Sequence, residues 1–72
     1  MESAKRLRGL REYANKSQAE IAAIIGTSQS YYAQYENGKR AIPFERVMVL
    51  AQYYNVSLDY IAGFIDTPRK ID

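Results

Sequence analysis

The segment IIGTSQSYYAQYENGKR, residues 24–40, decides how this chain is interpreted. Gly26 interrupts an apolar run, and Ser28 is suited to cap a new helix that extends to about Asn37. Gly38 is the stop signal of that helix, as Gly26 is of the helix before it. The new helix is unusual because it contains three tyrosines and two glutamines but only one charged residue.

A helical wheel divides the residues of this helix between two faces. Tyr32 and Tyr35 fall together on one side at about 100° per residue, with Tyr31 on their flank. The opposite arc carries small and amide side chains, namely Gln29, Ser30, Ala33, Gln34 and Asn37. An ordinary solvated face is rich in Lys and Glu, whereas Gln and Asn can donate and accept hydrogen bonds with a base edge. The wheel alone leaves base reading and a plain polar surface as equal alternatives.

Signals of helix initiation and termination predict four more helices and no strand. Ser17 and Glu20 form the S-x-x-E pattern of a capping box, and Pro43 is suited to a first helical turn. The five expected helices span about residues 3–15, 17–26, 28–37, 43–54 and 57–63. Because the connections between them are short, the sequence predicts an all-α, compact five-helix bundle over residues 1–65 and a polar tail over residues 66–72.

The composition excludes several kinds of function. The 72 residues contain no cysteine and no histidine, which rules out disulfides, Cys/His zinc sites and a histidine general base. No cluster of catalytic type occurs, and so small a bundle has little room for a ligand pocket, so we expect no enzyme, cofactor, metal or small-molecule ligand. The chain also lacks an apolar run of about 20 residues and a signal-peptide core, which predicts a cytoplasmic protein without a membrane partner.

Charge is unevenly distributed along the chain. Residues 1–46 carry eight basic and five acidic side chains, whereas residues 47–72 carry two basic and three acidic ones. The formal net charge is +2. This mild basic bias of the first part is compatible with a polyanion partner but does not establish one.

Residues 18–37 read as helix, glycine turn and helix, which is the arrangement of a helix-turn-helix unit. The motifs SQAEIA, GTSQSYYAQYENGKR and LAQYYNVSLDYIAG, with the isolated Arg11, resemble the Xre/Cro family of phage and bacterial repressors over about residues 4–64. The resemblance implies a lambda repressor-like domain that places its third helix in the major groove of double-stranded DNA. It also implies a small sequence-specific transcriptional regulator, most often a repressor.

The same resemblance implies roles for individual residues. The positions that read bases in the family correspond to Ser28, Gln29, Ser30, Ala33 and Gln34. Among these we expect Gln29 to contribute most. The positions that contact DNA phosphates correspond to Gln18, Asn37, Lys39 and Arg40. Tyr31 either directs its hydroxyl to a phosphate or packs against the second helix, and the sequence does not separate these alternatives.

Arg11 interrupts the apolar stripe of the first helix, where an unpaired charge would be costly to bury. In the family, an arginine at this position pairs with a glutamate near the end of the third helix, which is Glu36 in this sequence. We therefore expect a partly buried Arg11–Glu36 salt bridge with a structural role. The sequence departs from the family pattern at Lys16, Thr27 and Phe44, where apolar, apolar and small polar residues are more common.

The resemblance also implies assembly on DNA. Relatives dimerise on palindromic operators, which places two recognition helices about 34 Å apart. The candidate homodimer surface consists of Ile42, Phe44, Val56, Leu58, Phe64 and Ile65. Val56, Leu58 and Ile61 are alternatively core residues, and for these three we favour the core. An antitoxin or a protein-interaction adaptor remains the alternative function, because the same fold serves such proteins.

Overall fold

The computed structural model describes residues 2–66, which form five α-helices and no strand. The helices are α1 (Glu2–Tyr13), α2 (Gln18–Ile24), α3 (Gln29–Glu36), α4 (Phe44–Tyr54) and α5 (Leu58–Ala62). The prediction of an all-α bundle of five helices is thereby confirmed. Most of the predicted polar tail, residues 67–72, lies outside the described residues. Within the described part of the chain, no helix has the length and apolar character needed to cross a bilayer.

Serine side chains begin three of the helices. Ser17 Oγ accepts from the backbone N–H of Glu20 at 3.1 Å, and Glu20 Oε1 accepts from the backbone N–H of Ser17 at 2.8 Å, so the predicted capping box is present. Ser28 and Ser57 each accept a hydrogen bond at 3.1 Å from the third residue of α3 and α5. Each cap satisfies a backbone N–H without an intrahelical partner and stabilises the helix by about 1 kcal/mol.

Residues in the left-handed conformation end the helices. Gly26 (φ +76°) and Gly38 (φ +81°) follow α2 and α3 as predicted. Asn15 also adopts a positive φ, 58°, and α1 therefore ends at Tyr13, earlier than the predicted end at Asn15. Pro43 is extended and occupies the N-cap position of α4, without a capping hydrogen bond, instead of lying within its first turn. Both differences arise because propensity does not specify which residue leaves helical geometry first.

The core lies where α2 packs on α3, where α1 packs on α3 and α5, and where α4 packs on α5. Its fully buried large side chains are Leu7, Ile21, Tyr32, Leu50 and Ile61. Tyr35 is only 3% exposed, so Tyr32 and Tyr35 both point inward as the wheel predicts. Burying one such large apolar side chain contributes about 1.5–3 kcal/mol. The tyrosines therefore anchor one face of α3 in the core and leave the polar face at the surface.

The residues considered for a dimer surface divide into two groups. Val56 and Ile61 are buried and Leu58 packs against the core, so the core position favoured for these three residues is confirmed. Phe44 and Phe64 are 63% and 82% exposed, and with Ile42 they line a groove of about 480 Å³ beside α4 and α5. The large exposed side chains of the candidate dimer surface are therefore Phe44 and Phe64.

Candidate nucleic-acid interface

The polar face of α3 is most exposed at its start. Ser28, Gln29 and Ser30 are exposed, whereas Ala33 and Gln34 are half-buried. The exposure of the five predicted base-reading residues therefore decreases toward the end of the helix. The side chains at the start of α3 are the most accessible to a large partner.

A shallow hollow of about 260 Å³ lies beside α3, where it meets α1 and α2. Its lining residues are Arg8, Arg11, Gln18, Ala33, Glu36 and Asn37. The hollow brings together Gln18 and Asn37, two predicted phosphate ligands, and adds Arg8, which the sequence does not single out. Arg8 Nε pairs with Glu12 Oε2 at 3.0 Å in an exposed i,i+4 pair. No motif marks Arg8, because its proximity to α3 is produced by the packing of α1.

Arg11 and Glu36 form an ion pair at the junction of α1, α2 and α3. Arg11 Nε donates to Glu36 Oε2 at 2.7 Å, and Arg11 Nη2 donates to Glu36 Oε1 at 3.0 Å. The remaining Nη1 of Arg11 donates to the carbonyl oxygen of Lys16 at 2.9 Å. The two side chains are 13% and 3% exposed. The predicted ion pair is therefore present, two-pronged and largely removed from water, and each guanidinium nitrogen donates at least one hydrogen bond.

The surroundings of Glu36 keep its carboxyl group ionised. Burial by itself would raise the pKa of Glu36, but hydrogen bonds from Arg11 and Gln18 and the nearby Tyr32 hydroxyl outweigh burial and hold that pKa below its ordinary value. The Tyr32 hydroxyl is buried beside this carboxylate, although its geometry falls short of a standard hydrogen bond. Hydrogen bonding to Glu36 in turn raises the pKa of Arg11. Both members of the pair are charged at neutral pH.

Gln18 connects this ion pair to the exposed start of α3. Gln18 Nε2 donates to Glu36 Oε1 at 3.2 Å, and Gln18 Oε1 accepts from Gln29 Nε2 at 2.6 Å. The ionised Glu36 carboxylate can only accept hydrogen bonds, so Gln18 must turn its NH₂ group toward Glu36 and its oxygen toward Gln29. The buried ion pair therefore fixes the orientation of the Gln18 amide, and the Gln18 amide fixes that of Gln29. Gln29 consequently keeps its Oε1 as an acceptor and one N–H of its Nε2 as a donor.

A different contact holds the other end of α3. The Arg40 side chain folds back so that its Nε donates to Gln34 Oε1 at 2.9 Å. Its guanidinium carbon lies 4.8 Å from the centre of the Tyr31 ring, which meets the Tyr35 ring edge-on at 5.6 Å. Tyr31 therefore supports Arg40, an arrangement that neither sequence alternative included. The contact with Gln34 escapes sequence analysis because it depends on how the turn at Gly38 directs the chain.

The loop after α3 presents further donors. Asn37 Oδ1 accepts from the backbone N–H of Lys39 at 3.0 Å, so the side-chain oxygen of Asn37 shapes the turn. Asn37 and Lys39 are both exposed. The amide NH₂ of Asn37 and the ammonium of Lys39 are thus placed at the surface as donors suited to an anion.

Curated relatives share this domain. The chain is 38% identical over 64 residues to the uncharacterized HTH-type transcriptional regulator YobD of Bacillus subtilis (strain 168), and 34% identical over 59 residues to antitoxin PezA of Streptococcus pneumoniae serotype 4. It is 33% identical over 63 residues to the cryptic phage CTXphi transcriptional repressor RstR of Vibrio cholerae serotype O1. These matches cover 89%, 82% and 88% of this chain but 57%, 37% and 56% of the relatives. The chain therefore spans about half the length of the curated relatives, or less.

The fold is also that of a solved repressor. The P22 c2 repressor, in complex with the synthetic operator 9T, superposes with a TM-score of 0.76 over 85% of this chain and 92% of its own. The two sequences are 23% identical, so this likeness concerns the fold. A family model described as Helix-turn-helix matches residues 7–61. The resemblance seen in the sequence is confirmed, and the chain belongs to the Xre/Cro family of helix-turn-helix proteins.

Proposed function

We propose that this domain binds a specific sequence of double-stranded DNA and acts in the cytoplasm as a transcriptional repressor. The observation that carries the proposal is the exposed Gln29 amide, held in one orientation at the start of α3. A side chain that is oriented before binding loses less conformational freedom on binding. Relatives named as a transcriptional regulator and a transcriptional repressor support the same function.

In this proposal α3 lies in the major groove with its first turn directed at the bases. Gln29 retains one acceptor and one donor, which is the pair that matches N6 and N7 of adenine. We therefore assign adenine to the base that Gln29 reads. The hydroxyls of Ser28 and Ser30 are short and can pair with several bases, while Ala33 offers a methyl group to a thymine methyl.

Phosphate contacts position the domain on the duplex. Arg8, Gln18 and Asn37 border the hollow beside α3, and Lys39 extends from the loop that follows α3. A phosphate near the hollow can replace the exposed Arg8–Glu12 pair at little cost, because such surface pairs contribute little. Each phosphate neutralised in this way adds about −0.9 to the slope of log affinity against log salt.

We further propose a homodimer on a palindromic operator. Phe44 and Phe64 expose large aromatic surface along one groove, and a contiguous apolar patch of this kind is typical of an interaction site. A two-fold pairing of this face places two α3 helices against half-sites separated by one DNA turn, about 34 Å. Dimerisation would also let the protein read more base pairs than one short helix can contact.

An antitoxin or adaptor role is the second candidate. The chain is 34% identical to PezA, a protein named as an antitoxin, and this relative favours the alternative. A partner protein that co-purifies with the chain in a fixed ratio is the expected result for that role. We propose no enzymatic activity for this domain.

Selection of bound duplexes from a random pool tests the main proposal. We expect an enriched motif with two inverted half-sites one turn apart, and we expect random duplex to bind more weakly with a steep dependence on salt. Competition between the selected duplex and a scrambled one then measures the preference. Equal affinity for every duplex would rule out a specific regulator, and a stable protein partner without an enriched motif would favour the antitoxin or adaptor role.

A further inference from the structure

We propose that Arg40 is a positioning residue that makes Gln34 read a hydrogen-bond acceptor on the DNA, above all guanine, and not adenine. This inference rests on the proposed DNA binding and deepens it by assigning opposite readouts to the two glutamines of α3. It also changes the role of Arg40, which the sequence assigns to the phosphate backbone.

The contact between Arg40 and Gln34 has only one possible polarity. The Nε of arginine is always a donor, so the Gln34 atom at 2.9 Å from it is the oxygen Oε1. A hydrogen bond from a cation is stronger than one between neutral groups, so the Arg40 contact holds this oxygen in preference to a base amino group. Gln34 is left with its two N–H groups as donors.

Backbone and ring contacts keep Arg40 in this place. The backbone N–H groups of Lys39 and Arg40 both donate to the Gln34 carbonyl oxygen, at 3.0 and 3.1 Å. The guanidinium also lies over the Tyr31 ring at 4.8 Å. The Tyr31 ring rests on Tyr35, which is only 3% exposed. A buried tyrosine thus supports an exposed one, and the exposed ring supports Arg40 beside the Gln34 amide.

The outcome differs from that at the start of α3. Gln29 donates one N–H to Gln18 and keeps its oxygen, which is the arrangement that fits adenine. Gln34 commits its oxygen to Arg40 and keeps its donors. The terminal nitrogens of Arg40 make no hydrogen bond within the described part of the chain, so they add donors next to Gln34. Guanine offers O6 and N7 as two adjacent acceptors, and thymine offers O4 alone.

The test compares Arg40→Ala with Lys39→Ala on the selected operator. Each variant removes one exposed loop cation, but only the Arg40 side chain donates to the Gln34 side-chain amide. The variant Gln34→Ala is measured first, and the base pair at which this variant loses the wild-type base preference is taken as the one that Gln34 reads. The affinities of wild type and both variants are then measured with all four base pairs at that position, by fluorescence anisotropy at fixed salt. Both loop variants should have the same midpoint of thermal unfolding as the wild type, because both side chains are exposed.

We expect the wild type to prefer guanine over adenine at this position. Arg40→Ala should lower that guanine-to-adenine ratio by about tenfold or more, because the freed amide can then pair with adenine. Lys39→Ala should weaken binding to all four duplexes and leave the ratio unchanged. A wild-type preference for adenine, or an unchanged ratio in Arg40→Ala, would overturn the inference while leaving sequence-specific binding intact. If the wild type showed no base preference at any position of the duplex, that result would instead contradict the proposed function itself.

Discussion

The two ends of the α3 surface hold the same type of side chain in different ways. At the start of the helix, Gln18 links the Gln29 amide to Glu36, whose side chain is only 3% exposed. At the end, the Gln34 amide is held by Arg40, which is exposed. The first arrangement ends on a largely buried ion pair, whereas the second ends on an exposed guanidinium that reaches buried Tyr35 only through the Tyr31 ring. Loss of Glu36 should therefore alter the stability of the fold, whereas loss of an exposed side chain at either end should alter binding.

Replacement of Glu36 by alanine should have the largest effect. It leaves the Arg11 guanidinium buried without its partner, and removing one member of a buried pair costs about 3–5 kcal/mol. We expect this loss in the free energy of unfolding measured with denaturant. Glu12→Ala is the matched control, since it breaks an exposed pair with Arg8 and should cost about 0.5 kcal/mol or less. Similar small losses in both variants would show that the Arg11–Glu36 pair stabilises the fold no more than an exposed pair does.

Acid should reproduce part of that loss. The pKa of Glu36 in the folded protein lies below its ordinary value, so unfolding takes up a proton as the pH falls. Stability from this group is complete above the ordinary glutamate pKa of about 4.3 and declines as the pH falls through the lower folded value. Denaturant midpoints should therefore decrease below about pH 5.

Glu36→Gln is the control for this acid effect. It should unfold more readily at neutral pH and depend less on pH, because the titrating group is gone. A smaller acid dependence should remain, since hydrogen bonding to Ser17 also lowers the pKa of Glu20. If the acid dependence of Glu36→Gln equals that of the wild type, Glu36 does not contribute to it.

Replacement of Gln29 by alanine tests the start of the surface without touching the ion pair. We expect binding to the selected operator to weaken by about 1–3 kcal/mol, whereas binding to random duplex should change little. Gln52→Ala provides the control, because Gln52 is an exposed glutamine on α4. Titration of labelled duplexes measures both affinities. Equal weakening on both duplexes would show that Gln29 contacts the backbone and not a base.

The smallest effect is expected for Lys39→Ala in the loop. Loss of one phosphate contact should weaken binding to all duplexes alike and reduce the magnitude of the salt slope by about 0.9. Lys5→Ala, which removes an exposed lysine from α1, should leave the slope unchanged. The measurement is affinity over a series of salt concentrations. A sequence-dependent loss in Lys39→Ala would indicate that the loop approaches the bases.

Much of the fold and part of the site could be predicted from the sequence. The caps at Ser17 and Ser28 and the left-handed Gly26 and Gly38 lie where predicted, since such signals act over three or four residues. The ion pair between Arg11 and Glu36 could be named only through the family resemblance. The position of Arg8 beside α3 required the packing of α1, and the contact of Arg40 with Gln34 required the path of the turn at Gly38. Neither is encoded in a local pattern.

The sequence by itself determined how many helices form and roughly where they lie, which face of α3 is buried, and which residue types remain on its polar face. It did so because capping, glycine geometry and helical periodicity are local properties of the chain. Only the tertiary structure decided which way each glutamine amide points. That choice depends on Glu36 and Arg40, partners supplied across a helix junction and across a turn, and the direction of a hydrogen bond is set by such partners and not by the glutamine itself.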